Sequence, residues 1–508
     1  MARKTTPSFI TEIPLKVDSK LEKQLNANFQ AGRQLYNACL SEALIRMELV
    51  RNSEPYKQAK KLNRDKDKKQ RKELFKTARD QVRFSDYDLQ SFANLTAKSS
   101  KWIADKVDSN TQQKLATRAF KAVERILFGM ARQVRFKVPT RFKSVEGKSN
   151  KQGLRWLKNQ VVWCGLRIEP IIDWGNPVIV HGLNSPVKYC RILWRNLNGK
   201  KRWFVQLINE GLPYQKPQNY VTQGIVGLDV NISNVAFVAD NKAGLLPFAE
   251  KLPTFEREIK ALQRKMQRSL ILHNPDNFEP DFDKKVGNRI FRKKGKVKKG
   301  KKQWIRTRNY CRIQAKKAEL ERRKSSYAKS QNRKLVNEIL RHGNQIKTEK
   351  VSIKGWQKRY GKAISAKSPG FFQSELKRKA ENATGYFLTF STQKTALSQT
   401  HLDGTRIKKS LSQRTHRDVS GFVMHRDLFS AFLSRCVYND SLSLWDAQCE
   451  YPGTEPFLLD AWKQYQQSAN RVAERESRSG YSSSEQMSNE ALTSNQIANK
   501  SEKLEGNA

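Results

Sequence analysis

The stretch Gly224-Ile225-Val226-Gly227-Leu228-Asp229-Val230 limits what this chain can fold into more than any other. Ile225 to Val230 is apolar at nearly every position and reads as a buried strand. Val235 to Val238 reads as a second strand, with Asn231-Ile232-Ser233-Asn234 as the turn between them. One carboxylate, Asp229, interrupts the run. A buried carboxylate is costly unless it is paired or bound to a metal. Two readings stand at this point: a side chain projecting from a sheet toward positive charge, or a turn-initiating Asp at a frayed strand end.

Charge narrows the partners. Lys and Arg number 98 against 48 Asp and Glu, a net charge of +50 with pI near 10.2. A surface of that sign calls for a polyanion, nucleic acid first and a membrane surface second. No apolar run is long enough to span a bilayer, and Met1-Ala2-Arg3-Lys4 leads into no signal sequence, so the expectation is a soluble intracellular protein. The cysteines (Cys39, Cys164, Cys190, Cys311, Cys436, Cys449) are scattered without a C-x-x-C pair, which fits a reducing compartment and no thiolate metal site. The 10 Trp and 24 Phe exclude a disordered basic tail, and 508 residues leave room for two to four domains.

Taken in order, Phe9 to Leu15 alternates like a strand. Leu21, Leu25, Phe29, Gly32, Tyr36, Cys39 and Ala43 recur at helical spacing. Residues 54–84 are basic and helix-prone, and Leu89 to Lys106 reads as a further helix. After Asp108-Ser109-Asn110, a helix buries Ala116, Phe120, Val123, Leu127 and Met130. Its other face carries Arg118, Lys121, Arg125 and Arg132, a stripe suited to phosphates, although charge on a helix is most often only a solvated face. From Val134 strands are predicted: Arg135 to Lys137, Arg141 to Lys143, Leu154 to Trp163, Val178 to Val180, Tyr189 to Arg195 and Arg202 to Leu207. Asn198-Gly199 signals a hairpin between the last two. Basic and aromatic residues interleave here (Arg155 and Trp156, Arg202 and Trp203), as on a surface where bases stack, and equally as in a half-buried barrel.

Beyond Val238, a helix is predicted over Thr254 to Arg268. A Pro- and Asp-rich loop follows to Asp283, then the run Lys293, Lys294, Lys296, Lys298, Lys299, Lys301 and Lys302, read as a flexible polyanion-binding segment. Gln303 to Arg341 reads as a long basic helix burying Ile313, Leu320 and Tyr327. Gln345 to Ile353 is a strand with Glu349 at its centre, Gly385 to Phe390 another strand, and His425 to Arg435 a helix opened by Asp427. Residues 466–508 are too polar to order themselves.

Asp229, Glu349 and Asp427 thus lie on a strand, a later strand and a terminal helix, inside a polycation. Two-metal phosphodiesterases need anionic oxygen ligands converging on Mg²⁺ ions about 3.5–4 Å apart. Mg²⁺ favours carboxylates and retains waters, so three acidic ligands suffice.

Gly227-Leu228-Asp229-Val230-Asn231-Ile232, Thr348-Glu349-Lys350-Val351-Ser352 and Arg426-Asp427-Leu428-Phe429-Ser430-Ala431 resemble the three RuvC motifs of TnpB proteins and of their relatives, the compact type V CRISPR effectors. Leu397-Ser398-Gln399-Thr400, Leu411 to His416 and Leu35-Tyr36-Asn37 extend the resemblance over about residues 9–437. It implies a multidomain α+β or α/β protein. An oligonucleotide-binding-like β-barrel (the wedge, 1–16 and 134–215) would carry a helical recognition lobe (17–133), followed by an RNase H-like RuvC domain (222–397 and 422–440). It implies an RNA-guided DNA endonuclease that binds a structured guide RNA and double-stranded target DNA, reads a short flanking motif, and cuts at a Mg²⁺ site held by Asp229, Glu349 and Asp427. Base pairing would then read the sequence. Its setting would be the prokaryotic cytoplasm, on the nucleoid when bound to DNA.

The chain departs from the pattern twice. The resemblance implies a zinc ribbon with C-x-C-G or C-x-x-C-G pairs, here at 398–421. The corresponding residues are Thr400-His401-Leu402-Asp403-Gly404 and Asp418-Val419-Ser420-Gly421, so every thiolate is missing. His401, Asp403, Asp418 and Ser420 form a candidate remnant site, but serine is a poor ligand and Asp is common in turns, and zinc is expected to be absent. Phe429 also stands where Asn is usual. Both changes bear on cutting more than on binding, so an RNA-guided DNA-binding protein with weak or no cleavage is the alternative. A transposase working without RNA and a general RNA-binding protein are further readings, the last leaving the three carboxylates unexplained.

Overall fold

The computed structural model describes residues 6–219, 221–249, 251–287, 289–300, 302–410 and 413–478. The chain forms two compact units, Met1–Tyr214 and Gln215–Ala508.

The first unit opens with β1 (Ser8–Pro14) and runs through the helices α1 (Ser19–Asn52), α2 (Glu54–Lys61), α3 (Lys68–Gln81), α4 (Asp86–Lys98), α5 (Lys101–Lys106) and α6 (Ser109–Leu127). Leu25, Phe29, Gly32, Tyr36, Cys39 and Ala43 of α1 are buried, as their spacing predicts, and α1 packs on α4, α5 and α6. Asp108 caps α6, its Oδ1 accepting from the Thr111 N–H at 3.0 Å. The buried face of α6 ends before Met130, which lies beyond the helix and is 69% exposed.

The strands of this unit are β2 (Ser144–Glu146), β3 (Arg155–Leu157), β4 (Gln160–Trp163), β5 (Leu166–Ile168), β6 (Val187–Leu197) and β7 (Lys200–Glu210). Among the described residues they make an antiparallel sheet in the order β1-β7-β6-β2 and a separate three-stranded sheet β3-β4-β5. The expected barrel therefore does not close. A single bridge, Leu15 to Pro170, joins the end of β1 to the chain after β5. Val178 to Val180 is not a strand but part of helix α7 (Pro177–Asn184). Asn176 accepts from the Val178 N–H at 3.1 Å and Pro177 presets the first turn, so capping overrides the β preference of the valines. Neither Arg135 to Lys137 nor Arg141 to Lys143 forms a strand. The first is instead pinned by Asn37, whose side chain exchanges two hydrogen bonds with the Lys137 backbone, at 2.8 and 3.0 Å.

In the second unit, β8 (Ile225–Val230), β9 (Asn234–Val238) and β10 (Ala243–Pro247) form an antiparallel meander. After α8 (Leu252–His273), the hairpin β11 (Phe282–Val286) and β12 (Arg289–Lys293), and α9 (Arg308–Leu340), strand β13 (Gln345–Glu349) joins β8 in parallel. Two helices, α10 (Ile353–Lys367) and α11 (Pro369–Asn382), lead to β14 (Tyr386–Phe390), parallel to β13. The sheet order is β10-β9-β8-β13-β14. The lysine run thus begins inside a paired strand rather than a flexible segment. Helix α9 starts at Arg308, not Gln303, because the Thr307 hydroxyl accepts from the Tyr310 N–H.

Strand alternation sorts the core of this sheet. Val226, Leu228, Val230, Val235 and Phe237 face Val336 and Ile339 of α9 and Phe372 and Leu376 of α11. Ala236, Val238, Ala243 and Leu245 share the opposite core with the last two helices. Before those come a short helix α12 (Thr392–Thr395) and the hairpin β15 (Thr415–Arg417) and β16 (Val423–His425). The helices themselves are α13 (Arg426–Arg435), buried along its whole length, and α14 (Leu444–Arg478). Helix α14 continues through Gln466 to Arg478, where the sequence reads as polar tail, and 479–508 lie outside the described residues. No helix among the described residues is long and apolar enough to cross a membrane.

Candidate active site

Asp229 and Glu349 come from neighbouring parallel strands. The register Thr348 to Leu228, carried one step further, sets Glu349 beside Asp229 at the C-terminal ends of β13 and β8. Because strand side chains alternate, Gly227 and Asp229 share one face of the sheet, and α13 covers it. A Cβ on Gly227 would lie 2.1 Å from the Ala431 carbonyl oxygen and 2.9 Å from the Arg435 amide. Only glycine lets the helix come this close, and Asp427 sits one turn before Ala431 on that helix.

The start of α13 is held by His425, whose Nδ1 accepts from the Asp427 N–H at 3.2 Å. Burial drives the His425 pKa down to about 4, so the ring is neutral near pH 7 with its proton on Nε2. Asp427 is 1% exposed. Its Oδ1 accepts from Arg426 Nε and Nη2 at 3.3 and 3.2 Å, and its Oδ2 from Arg414 Nη1 at 3.4 Å.

The other two acids are penalised as anions. Burial pushes the Asp229 pKa well above the ordinary carboxylate value, and the charges of Asp427 and Glu349 push it further, against Arg426 and Arg414. Burial raises Glu349 to about 7 despite a hydrogen bond from the Leu397 backbone. An all-oxygen donor set whose members repel one another suits a hard divalent cation such as Mg²⁺. A polar cleft of about 350 Å³, lined by Lys350, Thr389, Ser391, Thr392, Gln393 and Asp440, opens at the same end of β13 and β14.

The three carboxylates do not themselves form a tight cluster. The one group of three ligating side chains within 4.8 Å of one another among the described residues is His401, His416 and Asp418. It gathers part of the candidate remnant site. Asp403 is exposed and accepts from Thr405, and Ser420 spends its hydroxyl on Asp418 Oδ1 at 2.8 Å. His416, which no cysteine-pair spacing picks out, takes part instead. Phe429 has a physical account too: its ring stacks on His416 at 4.3 Å and packs against Phe422 and Phe432 in the core.

Of the basic candidates, Lys121 and Arg125 lie exposed on α6. Arg118 is half-buried, donates to the Ser144 carbonyl at 3.1 Å and lies over the rings of Tyr36 and Phe142. Lys293, Lys296, Lys298 and Lys299 are exposed and Lys302 is half-buried. Lys294 pairs with Asp281 at 2.7 Å, and Lys301 lies outside the described residues. Sequence reasoning missed Arg414, Arg426 and His425. The adjacency Arg426-Asp427 was the available signal, since a buried Asp needs a nearby cation.

No family model matches this sequence, and no curated protein does. Solved structures do resemble it, among them the following two. One is described as the "Cas12f1-sgRNA-target DNA complex", 9% identical, TM-score 0.42, covering 84% of this chain and 98% of that one. The other, a "CRISPR-Cas12f Ternary Complex", is 10% identical with TM-score 0.29, covering 84% and 86%.

Proposed function

We propose that this protein is an RNA-guided DNA endonuclease whose hydrolytic centre is Asp229, Glu349 and Asp427. The observation that carries the reading is the placement of Asp229 and Glu349 at adjacent ends of β8 and β13, with Asp427 at the start of the helix that packs on β8, and the pKa of Asp229 and Glu349 raised by burial. An RNase H-like assignment of the second unit is supported by its meander continued by two parallel strands, with carboxylates at adjacent strand ends. The wedge and recognition-lobe reading of the first unit rests on the sequence resemblance. So do the guide RNA, the flanking motif and the double-stranded DNA target, to which the net charge of +50 adds electrostatic support.

Asp229, Glu349 and Asp427 would hold Mg²⁺, which in such centres activates water and stabilises the departing oxygen. The chain's own groups prepare the site. Gly227 admits α13, neutral His425 fixes the helix end that carries Asp427, and Arg414 and Arg426 balance its charge.

The alternative, guided binding with weak or no cleavage, draws on those same arginines, which already occupy both oxygens of Asp427. The test uses the protein with its co-purified RNA, a matching plasmid and Mg²⁺. Cutting by wild type that disappears in Asp229→Ala, with target binding retained, supports the nuclease. Equal binding and no nicking by either chain leaves the binding protein.

A further inference from the structure

The cluster next to α13 has the makings of a second, different site. His416 Nε2 lies 3.1 Å and His401 Nδ1 3.2 Å from the same oxygen, Asp418 Oδ2. The His416 contact is a hydrogen bond. The His401 contact is not: that side chain is 2% exposed, and neither ring nitrogen has a hydrogen-bond partner. A doubly unsatisfied buried imidazole is costly, and an ion bound at Nδ1 relieves the nitrogen that faces Asp418. Donors arranged tetrahedrally about zinc at about 2.0–2.1 Å stand roughly 3.4 Å apart, close to the two spacings observed.

The surroundings orient these donors. Backbone amides hold the carboxylate, Leu402 N–H donating to Oδ2 at 3.0 Å and Ser420 N–H to Oδ1 at 3.1 Å. Lys409 Nζ donates to His416 Nδ1 at 2.5 Å, so without an ion the ring proton lies on Nε2 toward Asp418, and binding of an ion at Nε2 displaces that proton and the Lys409 contact. Phe429 and Phe422 stack on the His416 ring and fix its plane. The carboxylate is thus held by backbone bonds and the His416 ring by packing, so two of the three donors are fixed in place. Two imidazole nitrogens with one carboxylate oxygen suit zinc or cobalt and not magnesium.

We propose that His401, His416 and Asp418 bind one borderline divalent ion of the zinc type, fastening the 398–421 segment to α13 without any thiolate. This reverses the sequence expectation that zinc is absent, because the third ligand, His416, lies outside the cysteine-pair pattern. The site is separate from the carboxylate centre and does not depend on the nuclease reading.

The experiment uses full-length protein carrying Asp229→Asn, so that the other acidic centre is weakened as a source of bound metal. The chain is stripped with chelator, dialysed against zinc, and its metal content measured. It is then reloaded with cobalt for visible absorption. We expect one zinc per chain, d–d bands of a low-symmetry cobalt site, and a Tm raised by zinc. All three are lost on adding His401→Asn or His416→Asn, with far-UV circular dichroism of the metal-free chain unchanged. Metal well below one per chain, or a Tm that ignores both zinc and chelator, overturns the proposal and leaves a hydrogen-bonded knot. If a His variant fails to fold, the chelator response of the parent chain still decides.

Discussion

At the scale of single residues, the account turns on acids held where acids are unwelcome. Removing a metal ligand should cost more than the roughly 10–100-fold typical of an outer-shell partner. Asp229→Asn and Asp427→Asn should therefore each lower the cleavage rate by at least about 100-fold while target affinity stays within a factor of two or so. Glu349 adds a pH signature. Its folded pKa is about 7 against an ordinary value of 4.5, so between those values the folded state holds a proton that the unfolded state has released. Stability from this group is highest below the lower value, falls as pH rises through the window, and is reduced by about 3 kcal/mol above it. Glu349→Gln should thus raise Tm at pH 8 more than at pH 5, measured in chelator, and abolish cutting. A Tm gain equal at both pH values would contradict the burial that the structure gives this carboxylate.

At the scale of elements, α13 and its seat on β8 decide whether the site assembles. Gly227→Ala puts a methyl against the Ala431 carbonyl, and overpacking of this kind costs about 1–3 kcal/mol. Urea melts should show that loss, with cleavage falling beyond it because Asp427 moves with the helix. Phe429→Asn, which restores the residue usual in the resembled motif, should destabilise the chain by about 3 kcal/mol by emptying the space against His416 and leaving a buried amide unpaired. Elements with a strong period were legible in the sequence: α1, α6, α9 and the β8–β9 hairpin all appear, although α6 ends three residues short of Met130 and α9 starts at Arg308 rather than Gln303. Helix α7 was not, because Asn176 and Pro177 outweigh three β-branched residues. The ordered start of α14 was not either. Pro452 and Pro456 argue against a helix there, yet Ala447, Tyr451, Leu458 and Ala461 pack into the core and offset the lost backbone bonds. At the site, Asp229, Glu349 and Asp427 could be read from motif residues. Arg414 and His416 lie in the stretch Leu411 to His416 that extends the resemblance, but their roles could not be read, because what brings His416 into place is a hairpin pairing no local period encodes.

At the scale of the whole molecule, a charge of +50 dominates, and its use should be measurable as salt dependence. Replacing exposed Lys121 and Arg125 by Gln should weaken nucleic-acid binding about equally for all sequences. It should also reduce the slope of log K against log salt by just under about 1 per lost phosphate contact. Arg118→Gln should act differently, lowering stability first, since its guanidinium is engaged with Ser144 and two rings. The central claim is guidance joined to cutting. Its most direct test is to sequence the RNA that co-purifies with the protein and assay Mg²⁺-dependent cleavage of plasmids that match or do not match that RNA's variable end. The account predicts one dominant structured RNA and cutting of the matching plasmid alone. A smear of cellular RNA, or cutting that ignores the match, would contradict it.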